Sequence, residues 1–293
     1  MIKIHDEKVL RKAQLIMLKI LKEFDSICRN NNLPYWLDSG TLLGAVRHKG
    51  FIPWDDDVDV CMLREDYEKF IDIAARLLPD NMILQTIFTD KHCLFNFAKI
   101  YNRSSFLVEF ENQDPAFWQG IYIDIFPVDK LSKGEFARNF WRSFYVNLYY
   151  TFGRPERKRQ FTLNRPNKRN HSSRLLNFLN MQNAARIENR LRKYATVNSV
   201  CSDDFVLGYG IGLYFWKPPF KYENIFPLQK IRFEDAQFFA PKNYDSYLTT
   251  LFGNTYMQLP TVEKRKQHAS LIKTELNQTE QDMLNKRFQL YNS

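Results

Sequence analysis

The sequence has few of the features that place a chain at sight. It has only four cysteines, Cys28, Cys61, Cys93 and Cys201, none in a Cys-x-x-Cys pair. That excludes a zinc-ribbon or thioredoxin-like reading and leaves reduced, partly buried thiols. Gly (10) and Pro (12) are modest in number, and there is no low-complexity tract and no repeat of solenoid length. The longest apolar run, residues 205–216, is interrupted by Gly208, Gly210 and Gly212. It falls short of the roughly 18 residues that a membrane span needs. The opening MIKIHDEKVLRK lacks the apolar core of a signal peptide, so a cytoplasmic location is the expectation. A Walker loop and a Gly-x-Gly-x-x-Gly fingerprint are both missing, which excludes the commonest nucleotide-binding signatures.

What the chain does have is length, aromatics and positive charge. Its 293 residues include 25 Phe and 15 Tyr and carry a net charge of +9. A basic balance favours anionic partners without choosing among nucleic acid, phosphorylated substrates and a membrane surface. A nucleic-acid-binding module is the reading of a different class. No RRM, KH or zinc-finger pattern supports it, and the acidic cluster described below would repel phosphates without a metal. Nucleic acid is therefore not an expected partner.

Periodicity supplies the elements. Apolar residues recur at three- and four-residue spacing from Val9 to Ile27, which predicts an amphipathic helix over 6–30 stopped by Asn30–Asn32 and Pro34. Tyr35-Trp36-Leu37 reads as a short strand, Ser39–Gly44 as a turn into a helix, 58–63 as a strand and Glu65–Leu78 as a helix ended by Pro79. Strands are expected at 82–88, 94–101 and 120–126. The order implies a mixed α/β (α+β) sheet with packed helices. No clean linker appears, so residues 1–293 read as a single domain with a helical, aromatic and basic insertion over about 132–196.

Four carboxylates, Asp55, Asp56, Asp57 and Asp59, lie within five residues. If Asp57 and Asp59 open the strand, they share a face and repel each other. A divalent cation relieves that repulsion, and magnesium (or manganese) suits oxygen ligands while leaving positions open for phosphate. An EF-hand is excluded by Val60 at the glycine position and Asp66 at the terminal Glu position. A solvated acidic turn and helix capping are the plain alternatives. Asp124, inside the apolar strand Gly-Ile-Tyr-Ile-Asp-Ile-Phe-Pro, needs a partner as well, either a basic side chain or the same metal. Asp129 is expected in the turn beyond and is given no role.

Ser39-Gly40-Thr41-Leu42-Leu43-Gly44 joins a strand to a helix. Backbone N–H groups at a helix start, with the hydroxyls of Ser39 and Thr41 and the close approach that Gly40 permits, can hold a phosphate. Capping by Ser39 or Thr41 is the plain alternative. The basic residues Arg47, His48 and Lys49 follow. Anion holders beside a metal site are what phosphoryl transfer requires.

YWLDSGTLLGAVRHKGFIPWDDDVDV and GIYIDIFPVD together closely resemble the two signatures of the LicD family, which includes the fukutin-like proteins. Further agreement, through Phe226-Pro227-Leu228, Phe233-Glu234, Ala240-Pro241, Tyr244, Tyr247-Leu248, Phe252-Gly253 and Tyr256-Met257, extends the resemblance over about residues 10–268. It implies a nucleotidyltransferase fold and a CDP-linked donor. The transferred group would be phosphocholine, or glycerol or ribitol phosphate, and the acceptor a sugar of a surface glycan such as teichoic acid, lipopolysaccharide or capsule. By resemblance, Gly40 and Thr41 fall in the phosphate turn, Asp57 and Asp59 on the metal pair, and Asp124 on a third carboxylate. The cysteines that bind zinc in some relatives have no counterpart, so no zinc is implied. Asp124 or Asp55 is the expected general base, and Lys49, Lys99 and Arg103 are candidate phosphate contacts whose plain alternative is solvated surface charge. A choline cage would draw on aromatics such as Trp36, Tyr122, Tyr209, Tyr214 and Trp216. Nucleotide transfer to an antibiotic or RNA on the same fold is a rival reading.

The segment 134–174 puts an aromatic-rich helix before a basic stretch. It is expected to rest on the anionic inner face of the cytoplasmic membrane, where a lipid-linked acceptor would be found.

Overall fold

The computed structural model describes residues 6–86, 88–90, 93, 97–108, 120–132, 205–209, 219–265 and 267–289, the side chains of Ser132 and 286–289 excepted. The insertion expected over 132–196, its membrane-facing segment 134–174, and Tyr214 and Trp216 lie outside them, apart from the strand residue Ser132. Helix α1 (Glu7–Asn30) is capped by Asp6, whose carboxylate accepts the Lys8 N–H at 2.7 Å. It buries Leu10, Ala13, Met17, Leu21 and Phe24, the stripe that the periodicity predicts. Gln14, a polar side chain in that stripe, is also buried.

Six helices and ten strands are formed by the described residues. After α1 come β1 (Trp36–Leu37), α2 (Ser39–Arg47), β2 (Asp59–Leu63), α3 (Arg64–Leu77), β3 (Met82–Gln85), β4 (Ala98–Asn102), β5 (Phe106–Val108) and β6 (Tyr122–Ser132). Then follow β7 (Phe205–Tyr209), α4 (Tyr222–Ile225), β8 (Gln229–Phe233), β9 (Ala236–Ala240), α5 (Tyr244–Phe252), β10 (Leu271–Lys273) and α6 (Gln278–Gln289). The main sheet has the order β1-β2-β6-β4-β3, with β7 also on β6. Only β2 and β6 run parallel within it, so the sheet is mixed, as expected. Helices α1 and α3 pack against it, and Phe24 of α1 meets Phe70 of α3 edge to face at 5.0 Å.

β6 is the axis of the sheet and is longer than expected. One edge pairs with β2, while the other is shared by β4, along residues 122–125, and by β7, along 128–132. Pro127 stands between those two ladders, where its missing N–H costs least. The extra length moves Asp129 from the expected turn into the strand. There it is buried, and Arg64 at the start of α3 holds it through two bonds of 2.9 and 3.0 Å. Two smaller sheets, β5 with β10 and β8 with β9, complete the described structure. Among the described residues no helix is long and apolar enough to cross a membrane.

Removing Arg64 strands a buried carboxylate. Arg64→Met should therefore lower the unfolding free energy by about 3–5 kcal/mol in denaturant titration, whereas a loss under 1 kcal/mol would mean that the pair is dispensable.

Candidate active site

The parallel register sets Asp59 of β2 opposite Asp124 of β6, and the antiparallel register sets Asp124 opposite Lys99 of β4. Residues paired in register lie on one face, about 4.8 Å apart from strand to strand. Two carboxylates and an ammonium thus form a row across three strands. Lys99 is buried, with its Nζ 3.1 Å from Asp124 Oδ1 and 3.4 Å from the centroid of the Tyr122 ring. The basic partner weighed for Asp124 is therefore present. Lys99 is no solvated surface charge but a buried cation beside the aspartates.

Asp55, Asp56 and Asp57 lie in the loop before β2. The strand begins only at Asp59, so Asp57 does not open it as expected. Asp57 still belongs to the cluster: burial pushes its carboxyl well above the usual range, and Asp55, Asp56 and Asp124 push the same way. Burial, then Asp59 and Asp56, raise Asp55 to about 7. This crowding brings acidic oxygens together whose mutual repulsion protonation or a cation would relieve. Among the described residues no group of three His, Cys, Asp or Glu side chains is placed to hold a metal ion.

Asp56 plays a different part. Its buried carboxylate accepts the backbone N–H of His268 (2.8 Å) and of Ala269 (2.7 Å), and His268 Nδ1 lies 3.1 Å away. Burial works against the charge, but these bonds keep the Asp56 carboxyl below its ordinary value. His268 also stands 3.3 Å from Asp57 Oδ2. Its imidazole is pushed up to about 10, first by the bond to Asp56 and then by the charge of Asp57.

The Ser39–Gly44 turn starts α2, as expected, yet its polar groups face inward. Asp38 stands at the N-cap position without capping. Its buried carboxylate instead receives Tyr209 Oη at 2.7 Å on both oxygens, Tyr247 Oη at 2.8 Å and Ser39 Oγ at 2.9 Å. Thr41 Oγ1 accepts the Asp59 N–H at 2.8 Å, and the Asp38 N–H reaches the Asp59 carbonyl at 3.0 Å. The two hydroxyls expected at a phosphate therefore bond within the protein, and Thr41 with Asp38 clamps the backbone of Asp59. Gly40 and Gly44, one helical turn apart, let the loop 50–55 lie against α2. A Cβ at Gly40 would come within 2.7 Å of Asp55 Oδ2, and one at Gly44 within 2.5 Å of the Gly50 carbonyl. The close approach that Gly40 permits is to Asp55.

The remaining basic candidates divide. Arg47, at the far end of α2, donates to the Tyr256 and Gln258 carbonyls at 2.9 and 3.2 Å. Burial lowers its pKa, against the opposing charge of Asp55. Lys49 is exposed and donates to the Val46 carbonyl at 3.2 Å; it lies past the end of α2, at the opposite end from the Ser39–Gly44 turn. Arg103 lies four residues beyond Lys99, roughly 13 Å along the chain, and donates to the Asp80 carbonyl at 3.2 Å. The geometry does not bring Lys49 or Arg103 to the carboxylates. Of the cage candidates, Trp36, Tyr122 and Tyr209 are committed to the core, to Tyr247, Lys99 and Asp38 in turn. Asp38, Tyr247, Gln14 and His268 were given no role from the sequence; Asp38, inside the first signature, and Tyr247, inside the C-terminal pattern, carried a signal.

Residues 32–165 match the family model described as LicD/FKTN/FKRP, nucleotidyltransferase domain. The lipopolysaccharide cholinephosphotransferase LicD of Haemophilus influenzae is 26% identical over 274 residues, 88% of this chain and 95% of that protein. The ribitol 5-phosphate transferase FKRP of human and mouse is 59% identical over 32 residues, 11% of this chain and 6% of that protein. An uncharacterised protein of Rickettsia typhi is 42% identical over 69 residues, 24% of this chain. The LicD resemblance read from the two signatures is borne out.

Tyr209→Phe removes a donor from a buried carboxylate, so unfolding should shift by about 1.5–3 kcal/mol. Calorimetric melting checks this, and an unchanged midpoint would mean that Tyr247 and Ser39 suffice.

Proposed function

We propose that this chain, with its LicD-type nucleotidyltransferase domain over residues 32–165, transfers phosphocholine from CDP-choline to a sugar hydroxyl of a cell-surface glycan and releases CMP. The observation that carries the reading is the row Asp59–Asp124–Lys99 beside Asp55 and Asp57, inside a domain similar to a lipopolysaccharide cholinephosphotransferase along nearly its whole length.

Asp57 and Asp59 would hold magnesium, or manganese, with Asp124 beside them. When bound, the cation supplies charge neutralisation at the donor pyrophosphate. The chain's own residues do the positioning. Thr41 and Asp38 fix the Asp59 backbone. Lys99 balances Asp124 and offers positive charge on the same face. The acceptor hydroxyl attacks the phosphorus that bears choline; a new P–O bond forms as the bond to the CMP oxygen breaks. Of the two carboxylates considered for the hydroxyl proton, Asp124 already holds Lys99, so Asp55 is the base we assign. The acceptor is a glycan, lipid-linked if residues 134–174 rest on the inner face of the cytoplasmic membrane.

A second reading, ribitol- or glycerol-phosphate transfer from a CDP-polyol, draws on the 59% identity to FKRP over 32 residues. Incubation with magnesium and CDP-choline, CDP-ribitol or CDP-glycerol separates the two readings by which donor yields CMP in the presence of a glycan acceptor. Pyrophosphate release from a nucleoside triphosphate would replace both with nucleotide transfer. Asp57→Asn should lower CMP release by more than roughly 100-fold, since even outer-shell partners of a metal cost 10–100-fold. Equal turnover by both proteins would refute the metal assignment.

A further inference from the structure

The region that matches the family model ends at residue 165, yet one side of the acidic loop is built by a segment a hundred residues later. β10 pairs with β5, and Ser270 donates its N–H to the Val108 carbonyl at 2.7 Å. This fixes the strand directly after His268 and Ala269. Those two residues give their backbone N–H groups to Asp56, whose side chain is fully buried. The segment is therefore anchored by its backbone. The His268 side chain adds to that anchoring but remains 63% exposed, with Nδ1 3.1 Å from Asp56 Oδ1 and 3.3 Å from Asp57 Oδ2.

We infer that His268 is a positioning residue for the metal carboxylate Asp57. Its Nδ1–H, shared between Asp56 and Asp57, orients the Asp57 carboxylate toward Asp59 and Asp124, and the 267–270 segment is a wall of the active site. This rests on the metal reading proposed above. Two adjacent carboxylates on a loop have no reason of their own to point the same way. A ring wedged between them, with one carboxylate pinned by two backbone amides, fixes the direction of the other. Carboxylate and imidazole ligands of metals are held by just such outer partners, whose loss costs 10–100-fold in affinity.

The test uses the full chain and Mn2+ alone, titrated calorimetrically without donor, for the wild type, His268→Ala, His268→Asn and Asp57→Asn. His268→Ala keeps both backbone bonds to Asp56, so it should still reach the native fold, with a melting temperature lowered by the lost ion pair. Its Mn2+ affinity should fall about 10–100-fold. His268→Asn, whose amide nitrogen falls near the Nδ1 position, should recover most of that loss. Asp57→Asn should abolish binding. If Asp57→Asn weakens Mn2+ binding while His268→Ala does not, the inference fails and the metal reading survives. The inference also fails if His268→Asn binds as weakly as His268→Ala. If Asp57→Asn binds Mn2+ like the wild type, both readings fall.

Discussion

The parallel pairing of β2 with β6 is the constraint on which the site depends. Its register sets Asp59 against Asp124. A slip of one residue would turn one of them to the opposite face and separate the pair. That register is held from outside the sheet. Thr41 takes the Asp59 N–H and Asp38 donates to its carbonyl, so the turn before α2 grips the residue that carries the carboxylate. Asp38 is held in turn by Tyr209 of β7 and Tyr247 of α5. A buried charge met by three hydroxyl donors is stable where an unpaired one would not be. Strands and helices far apart in sequence thereby keep one aspartate in place.

The acidic loop is under the opposite stress, since its carboxylates repel and the chain must be held together against them. Gln14 of α1 donates to the Ile52 and Asp55 carbonyls at 3.2 and 3.0 Å. Glu234, in the β8–β9 turn, accepts the Phe51 N–H at 3.1 Å and is itself held by Arg11. Gly40 and Gly44 clear the helix surface beneath the loop. His268 and Ala269 secure Asp56. Clamped on these sides, the loop buries its carboxyls and keeps like charges in proximity, and the two together raise the pKa of Asp55 and Asp57. Such perturbed groups gather where chemistry is done.

Much of this was legible in one dimension. The 3.6-residue period marked α1, the break at Asn30–Pro34 marked its end, and the compact run of aspartates marked the site. Polar residues whose partners come from distant segments were not legible. Gln14 looks like an exception to the α1 stripe until loop 52–55 is laid across it. Thr41 and Ser39 read as phosphate ligands because their neighbours in sequence are glycines, while their actual partners, Asp59 and Asp38, follow from the close packing of α2 on β2. Asp129 read as a turn residue because a proline precedes it; the change of partner strand on one edge of β6 lets the strand run past Pro127.

By itself the sequence determined the helical and extended periods, the mixed α/β class, the LicD-type signatures and the identity of the acidic residues, because these depend on local spacing and side-chain chemistry. Only the tertiary structure decided which carboxylates meet, that Lys99 is a buried partner of Asp124 while Arg103 stays remote, and that His268 joins the site from the far end of the chain. Those outcomes follow from strand register and loop packing, which bring together residues that no period in the sequence connects.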